Sequence, residues 1–209
     1  MERTAPRHFS MVREFHLADF FALGNAACGV GAILLAMLFM ASGHREQFFV
    51  AAALAPAAFI LDVLDGRIAR ARHTNSALGR ELDSLSDVIS FGMAPAALGF
   101  AAGLQGGWDA AALIYFVCCG VSRLARYNVT AEALADDESG KVKYFEGTPI
   151  PTSVVIVGLL AWAAWEGRID DNLWGGVSDL GPWEFHPLAL LFVASGSLMI
   201  SKTLRIPKL

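Results

Sequence analysis

Two acidic stretches, Asp62-Val-Leu-Asp-Gly-Arg-Ile-Ala-Arg70 and Gly79-Arg-Glu-Leu-Asp-Ser-Leu-Ser-Asp87, stand between long runs of alanine, leucine, valine and phenylalanine. Carboxylates in or near hydrocarbon are energetically costly unless they are paired, hydrated or bound to a metal ion. Four aspartates beside such apolar segments therefore indicate a membrane protein that carries a polar site.

The composition excludes several classes of protein. Of the 209 residues, 55% are hydrophobic and 17% are charged, which is not the balance of a soluble globule. The net charge of −4 gives no reason to expect nucleic-acid binding. The three cysteines lie in apolar runs, and an odd number so placed argues against a disulfide framework or a zinc site.

Six apolar segments approach or reach the roughly 20 residues that a helix needs to cross a bilayer. Helices are expected because backbone polar groups in lipid must be hydrogen-bonded within the segment. The sequence thus predicts an all-α integral membrane protein with about six transmembrane helices. The segments lie near residues 18–42, 47–66, 82–104, 108–127, 149–166 and 186–203.

The basic residues predict the orientation of these helices. On this assignment of spans, 14 of the 16 lysines and arginines lie on one side, and only Arg45 and Arg168 lie on the other. Because cytoplasmic loops are enriched in lysine and arginine, both termini and the four aspartates are placed in the cytoplasm. The polar active-site cavity is accordingly predicted to face the cytoplasm.

The chain is predicted to form one membrane domain over residues 18–209. Residues 1–17 mix apolar side chains with arginine and histidine, so this segment is either an amphipathic helix in the membrane surface or a frayed tail. The five histidines lie at helix ends and in loops without a pairing that suggests metal ligation, and we interpret them as interfacial.

The spacing of the aspartates points to a metal ion. Asp62 and Asp65 are three residues apart and Asp83 and Asp87 four, so each pair shares one face of a helix. The linker 66–81 allows the two pairs to converge, and four carboxylates would then repel unless a cation lay among them. Oxygen ligands without nearby histidine or cysteine suit Mg²⁺ or Mn²⁺, which usually bind substrate phosphates as well.

The neighbouring residues fit a phosphorylated substrate. Gly66 and Gly79 lack side chains where a substrate or a second helix could approach, and Ala69 keeps the intervening surface small. Arg70 supplies a guanidinium group able to grip phosphate. An ion network at the membrane edge without chemistry, a cation-coupled transporter and a structural scaffold are the alternatives that the residues leave open.

These residues resemble a known family. The pattern Asp65-Gly-x2-Ala-Arg-x8-Gly-x3-Asp-x3-Asp87, preceded by Asp62, matches the signature of the CDP-alcohol phosphatidyltransferases, and six helices fit that family's architecture. Stretches around this signature resemble those of bacterial phosphatidylserine synthases within the family. They are residues 18–29, 82–95, 122–128 and 147–151.

The resemblance implies an activity. The protein would transfer the phosphatidyl group of CDP-diacylglycerol to the hydroxyl of L-serine and release CMP, with Mg²⁺ or Mn²⁺ as cofactor. Glycerol 3-phosphate, inositol phosphate or choline remain alternative acceptors. The resemblance also implies a homodimer in a lipid bilayer, and a bacterial inner membrane is the expected location.

The same resemblance implies roles for individual residues. Asp62, Asp65 and Asp83 would hold one or two divalent cations, and Asp87 would complete the second site and act as the general base. The expected contacts to the CDP-lipid are Asn25, Gly66, Ala69, Arg70, Ser76 and Gly79.

Two arginines are candidates for recognising the acceptor. Arg123 and Arg126 are three apart near the predicted cytoplasmic end of the fourth helix, so both guanidinium groups are expected to face the same cavity. They would form a clamp for the serine carboxylate. The alternative is that they only anchor a helix end in the membrane surface.

Overall fold

The computed structural model describes residues 16–72, 77–135, 144–201 and 205–207. The predicted surface segment 1–17 lies almost entirely outside these ranges. A π-helix, Val88–Met93, joins the α-helices Ala77–Asp87 and Ala94–Ala101 without interruption, and 3-10 turns cover Ile150–Thr152 and Asp170–Asn172. The α-helices are α1 Leu17–Ser42, α2 Arg45–Arg72, α3 Ala77–Asp87, α4 Ala94–Ala101, α5 Gly107–Ala135, α6 Ser153–Trp165 and α7 Ala189–Ile200.

Within the described ranges, four helical segments are long and apolar enough to cross a membrane. They are Leu17–Ser42, Arg45–Ile68, Leu78–Ala101 and Gly107–Val129. They coincide with the first four predicted segments, and the prediction of an all-α integral membrane protein is confirmed.

The last two predicted segments form shorter apolar helices, Ile150–Trp165 and Ala189–Ile200. A helix rises by about 1.5 Å per residue, so the 12 residues of α7 fall well short of a hydrocarbon core about 30 Å thick. Six spans therefore stay a prediction.

Helices α1 and α2 form an antiparallel pair. The turn between them depends on Gly43, which has a φ of +71° and donates its N–H to the Phe39 carbonyl at 2.7 Å. Such a left-handed residue after a helix is normally glycine, because it has no Cβ. The antiparallel arrangement places the first turns of α1 at the same end of the bundle as the aspartates of α2.

Helices α4, α5 and α7 share a tightly packed core. The buried rings of Phe116 in α5 and Phe192 in α7 meet edge to face, with centroids 5.3 Å apart. Gly99 of α4 lies directly beneath Phe192, since a Cβ added there would be 2.9 Å from the ring. This packing fixes α5 next to the segment that begins with α3.

Short strands that the sequence did not predict complete the fold. Strands β2 Ser178–Leu180 and β3 Trp183–Phe185 form one antiparallel hairpin, and β1 Tyr144–Glu146 pairs with β4 Arg205–Pro207. The indole of Trp108, at the start of α5, donates to the Leu180 carbonyl at 2.8 Å and so attaches the β2–β3 hairpin to that helix.

One histidine departs from the interfacial interpretation. His186 is buried, and its Nδ1 lies 2.6 Å from the carboxylate of Asp109, which is also buried. The backbone N–H groups of Gly106 and His186 donate to the same carboxylate at 3.0 and 2.8 Å. These hydrogen bonds offset the cost of removing both polar groups from water.

Candidate active site

Three of the four predicted metal ligands come together at the junction of α2 and α3. Asp62, Asp83 and Asp87 each offer a carboxylate oxygen, and these oxygens all lie within 4.8 Å of one another. Asp87 is buried, and Asp62 and Asp83 are partly buried. Carboxylates this close repel one another, and their oxygen atoms are the ligands that Mg²⁺ and Mn²⁺ prefer. The three side chains therefore fit a hard divalent cation.

The fourth aspartate occupies a neighbouring position. Asp65 is buried one helical turn after Asp62, and it is close enough to Asp87 for an electrostatic interaction. It is not a member of the group of three oxygens. A direct ligand role for Asp65 stays a prediction.

Asn25 reaches the cluster from α1. Its side-chain Nδ2 donates to Oδ1 of Asp87 at 3.2 Å, and the residue is completely buried. Its Oδ1 has no hydrogen-bond partner among the residues that the structure describes. The family resemblance implies that Asn25 contacts the nucleotide, whereas the structure places its amide against Asp87, the expected general base.

The helix changes its hydrogen-bonding pattern immediately after Asp87. The π-helix Val88–Met93 begins at the next residue and ends two residues before Pro95. Proline has no N–H with which to bond the preceding turn, so local departures from α-helical pairing are common beside it. π-Helical turns occur frequently at functional sites, and this one lies directly beside the aspartate cluster.

Helix α5 contributes a cation. Arg123 is partly buried and lies within electrostatic range of Asp87. Its Nε is buried and has no hydrogen-bond partner within the described ranges. Arg126 is exposed. The structure thus places Arg123 beside the cluster, while a shared clamp formed by both arginines stays a prediction.

Asn128, near the end of α5, is a residue near the site for which the sequence predicted no role. Its amide donates to Ser84 Oγ at 3.0 Å and to Glu81 Oε1 at 3.3 Å. Ser84 stands between the two aspartates of α3, so Asn128 attaches α5 to the helix that carries Asp83 and Asp87. The sequence feature that could have identified Asn128 is its position as an amide at the polar end of a long apolar helix.

Four of the five remaining predicted residues belong to α2 or α3. Gly66 and Gly79 are partly buried residues of these helices. Ala69 and Arg70 belong to the last turns of α2. The structure describes the helix at these two positions and not their side chains. Ser76 lies outside the described residues. Contacts of these residues with a nucleotide stay predictions.

The bundle of apolar helices and its acidic site define a helical integral membrane protein with a candidate divalent-metal centre. Residues 15–199 match the sequence profile of the CDP-alcohol phosphatidyltransferases. The chain belongs to the CDP-alcohol phosphatidyltransferase family and is a transferase.

Several curated proteins are similar to this chain, and all three described here are named CDP-diacylglycerol–serine O-phosphatidyltransferase. The protein of Saccharomyces cerevisiae is 44% identical over 208 residues, which are 96% of this chain and 74% of the yeast protein. That of Mycobacterium leprae is 46% identical over 124 residues, 56% of this chain and 39% of the relative. That of Methanocaldococcus jannaschii is 34% identical over 149 residues, 71% of this chain and 62% of the relative.

Proposed function

We propose that this protein transfers the phosphatidyl group of CDP-diacylglycerol to the hydroxyl of L-serine, forming phosphatidylserine and CMP. The observation that carries the proposal is the meeting of the Asp62, Asp83 and Asp87 oxygens within 4.8 Å of one another. The names of the similar proteins support serine as the acceptor.

The reaction exchanges one bond to phosphorus for another. The serine oxygen forms a bond to the phosphorus of the lipid phosphate, and the bond from that phosphorus to the oxygen of CMP breaks. The proton of the serine hydroxyl goes to Asp87, which acts as general base. Asp87 belongs to the group of three carboxylates, so it would lie close to a hydroxyl that attacks a phosphate held at this site.

A divalent cation fits the site, and Asp62, Asp83 and Asp87 would hold it, with Asp65 beside them. When bound, Mg²⁺ or Mn²⁺ would neutralise charge on the pyrophosphate oxygens and stabilise the leaving CMP. The carboxylates of this chain then have two tasks. They would bind the cation that holds the pyrophosphate end of the substrate, and they would keep Asp87 close to the phosphorus that is attacked.

The substrates would enter from different sides of the cluster. The CDP-lipid would be contacted by Gly66, Ala69 and Arg70 of α2, by Gly79 of α3 and by Ser76. Arg123 would bind the carboxylate of serine from α5. Its side chain lies within electrostatic range of Asp87, and its buried Nε has no hydrogen-bond partner among the described residues. Arg126 would assist at the more exposed edge.

The expected cellular setting follows from charge and from family. Both termini and the aspartate site would face the cytoplasm, because 14 of the 16 basic residues lie on that side of the predicted spans. A bacterial inner membrane and a homodimeric assembly are further parts of the proposal. Crosslinking in membranes and protease accessibility of the termini test these parts.

An acceptor screen tests the proposed function. Purified protein is supplied with Mn²⁺, labelled CDP-diacylglycerol and either serine, glycerol 3-phosphate, inositol phosphate or choline. We expect a labelled phosphatidylserine product and an equal amount of CMP with serine only. A product with another acceptor would reassign the substrate, and no release of CMP with any acceptor would favour a transporter.

A further inference from the structure

We infer that Asn25 is a positioning residue that orients the carboxylate of Asp87. The inference rests on the proposed function, since it assigns to Asp87 the roles of metal ligand and general base. It gives Asn25 a different task from the nucleotide contact that the sequence suggested.

The side chain of Asn25 constrains one oxygen of Asp87. Its Nδ2 donates to Asp87 Oδ1 at 3.2 Å. The reverse orientation of the amide would set two acceptor oxygens against each other, so the N–H group must face the carboxylate. With Oδ1 of Asp87 engaged in this bond, its Oδ2 is left for a cation or for the proton of the acceptor hydroxyl.

The main chain of Asn25 is held by the same structural unit. Ser90 Oγ donates to the Asn25 carbonyl at 2.7 Å, three residues beyond Asp87. Gly29 of α1 allows this contact, because a Cβ added to it would lie 2.5 Å from Ser90 Oγ and 2.7 Å from Ser90 Cα. The side chain of Asn25 therefore binds the last residue of α3, Asp87, and its main chain binds Ser90 in the π-helix that follows.

Burial separates this role from substrate binding. Asn25 is 0% exposed, so it presents no surface to a nucleotide, and its effect on the reaction must pass through Asp87. Its Oδ1 has no hydrogen-bond partner among the described residues, which is unfavourable for a buried acceptor. The useful part of this side chain is the N–H group that faces Asp87.

The test replaces Asn25 with leucine, whose branched side chain has nearly the same shape but no polar atoms. Asn25→Ala serves as a second variant, and Asn172→Leu, an exposed site, controls for the substitution itself. For the full chain in nanodiscs we would measure kcat, the KM of each substrate and, without any substrate, the dissociation constant of Mn²⁺ by electron paramagnetic resonance.

We expect both Asn25 variants to lower kcat or weaken Mn²⁺ binding by about 10- to 100-fold, because residues that orient metal ligands have effects of this size. The KM for CDP-diacylglycerol, measured at saturating Mn²⁺, should be unchanged. The Asn172→Leu control should match the unsubstituted protein. A raised KM for CDP-diacylglycerol with unchanged kcat would show that Asn25 contacts the nucleotide. If the Asn25→Leu protein keeps the kcat and Mn²⁺ affinity of the unsubstituted protein while Asn25→Ala is impaired, Asn25 contributes only packing. Either result would overturn the inference.

The Mn²⁺ measurement keeps two failures apart. It needs neither serine nor lipid, so it tests the link between Asn25 and Asp87 even if the acceptor screen rejects serine. If the unsubstituted protein binds no Mn²⁺ and releases no CMP, the proposed function fails. If it binds Mn²⁺ and both variants keep its affinity and its kcat, the inference about Asn25 fails alone.

Discussion

The Asn25 amide lies 3.2 Å from the Asp87 carboxylate, although 62 residues separate them along the chain. The amide of Asn128 reaches Ser84 of the same helix, 44 residues away, at 3.0 Å. Helix α3 is thus attached to both α1 and α5 by two buried or partly buried amides. This double attachment sets where Asp83 and Asp87 lie relative to Asp62 of α2.

Replacing Asp87 by asparagine should lower kcat by about 10² to 10⁴-fold, because the site loses its general base while keeping its shape. The measurement is CMP release under saturating substrates. Asp179→Asn, on the exposed hairpin strand β2, is the matched control and should retain full activity. A kcat within a few-fold of the unsubstituted value would remove Asp87 from the role of base.

Removing divalent cations should abolish turnover. After treatment with a chelator, we expect Mn²⁺ or Mg²⁺ to restore CMP release, because the three clustered carboxylates offer only oxygen ligands. Asp62→Ala should raise the Mn²⁺ concentration needed for half-maximal activity. Turnover that persists in the chelated protein would mean that the aspartates act without a metal.

Arg123→Ala should raise the KM for serine about 10- to 100-fold, which corresponds to a charge-assisted hydrogen bond of roughly 1.5–3 kcal/mol. The KM for CDP-diacylglycerol should change much less. Arg126→Ala is the natural comparison, and we expect a smaller effect because this side chain is exposed. Equal changes in both KM values for Arg123→Ala would rule out a specific contact with the serine carboxylate.

Gly29→Ala should reduce both thermal stability and kcat. The new methyl group would lie 2.5 Å from Ser90 Oγ and 2.9 Å from the Ser90 backbone nitrogen, so α1 must move away from the π-helix and Asn25 away from Asp87. Gly158→Ala in α6 is the control, since no atom of the described residues outside its own helix lies within 4 Å of the added methyl group. Equal behaviour of the two variants in thermal denaturation and turnover would contradict this account.

His186→Ala should destabilise the protein without lowering kcat of the folded fraction. It leaves the buried Asp109 carboxylate without its side-chain partner, a loss worth about 1–3 kcal/mol or more for a charged group. Thermal unfolding in detergent, measured beside activity per folded molecule, tests this separation. His44→Ala, at an exposed histidine, is the control. A selective loss of kcat would connect this pair to the chemistry.

Much of the fold could be predicted because backbone polar groups in a bilayer must be hydrogen-bonded within their own segment. Long apolar runs must become helices, and the first four were located to within a few residues. The hairpin β2–β3 was missed because strands of three residues carry almost no periodic signal. The burial of His186 was missed because its partner, Asp109, lies 77 residues earlier in the chain.

The sequence by itself determined that this is a helical membrane protein, and the spacing of its aspartates determined that two neighbouring helices each present an acidic face. Those properties depend on neighbours in the chain, where helical geometry relates one residue to the next. Only the tertiary structure decided that Asn25 faces Asp87, that Asn128 holds Ser84 and that Arg123 lies beside the cluster. Each of these relations depends on how separate helices are rotated and packed against one another, and that is settled by close contacts such as Gly29 against Ser90.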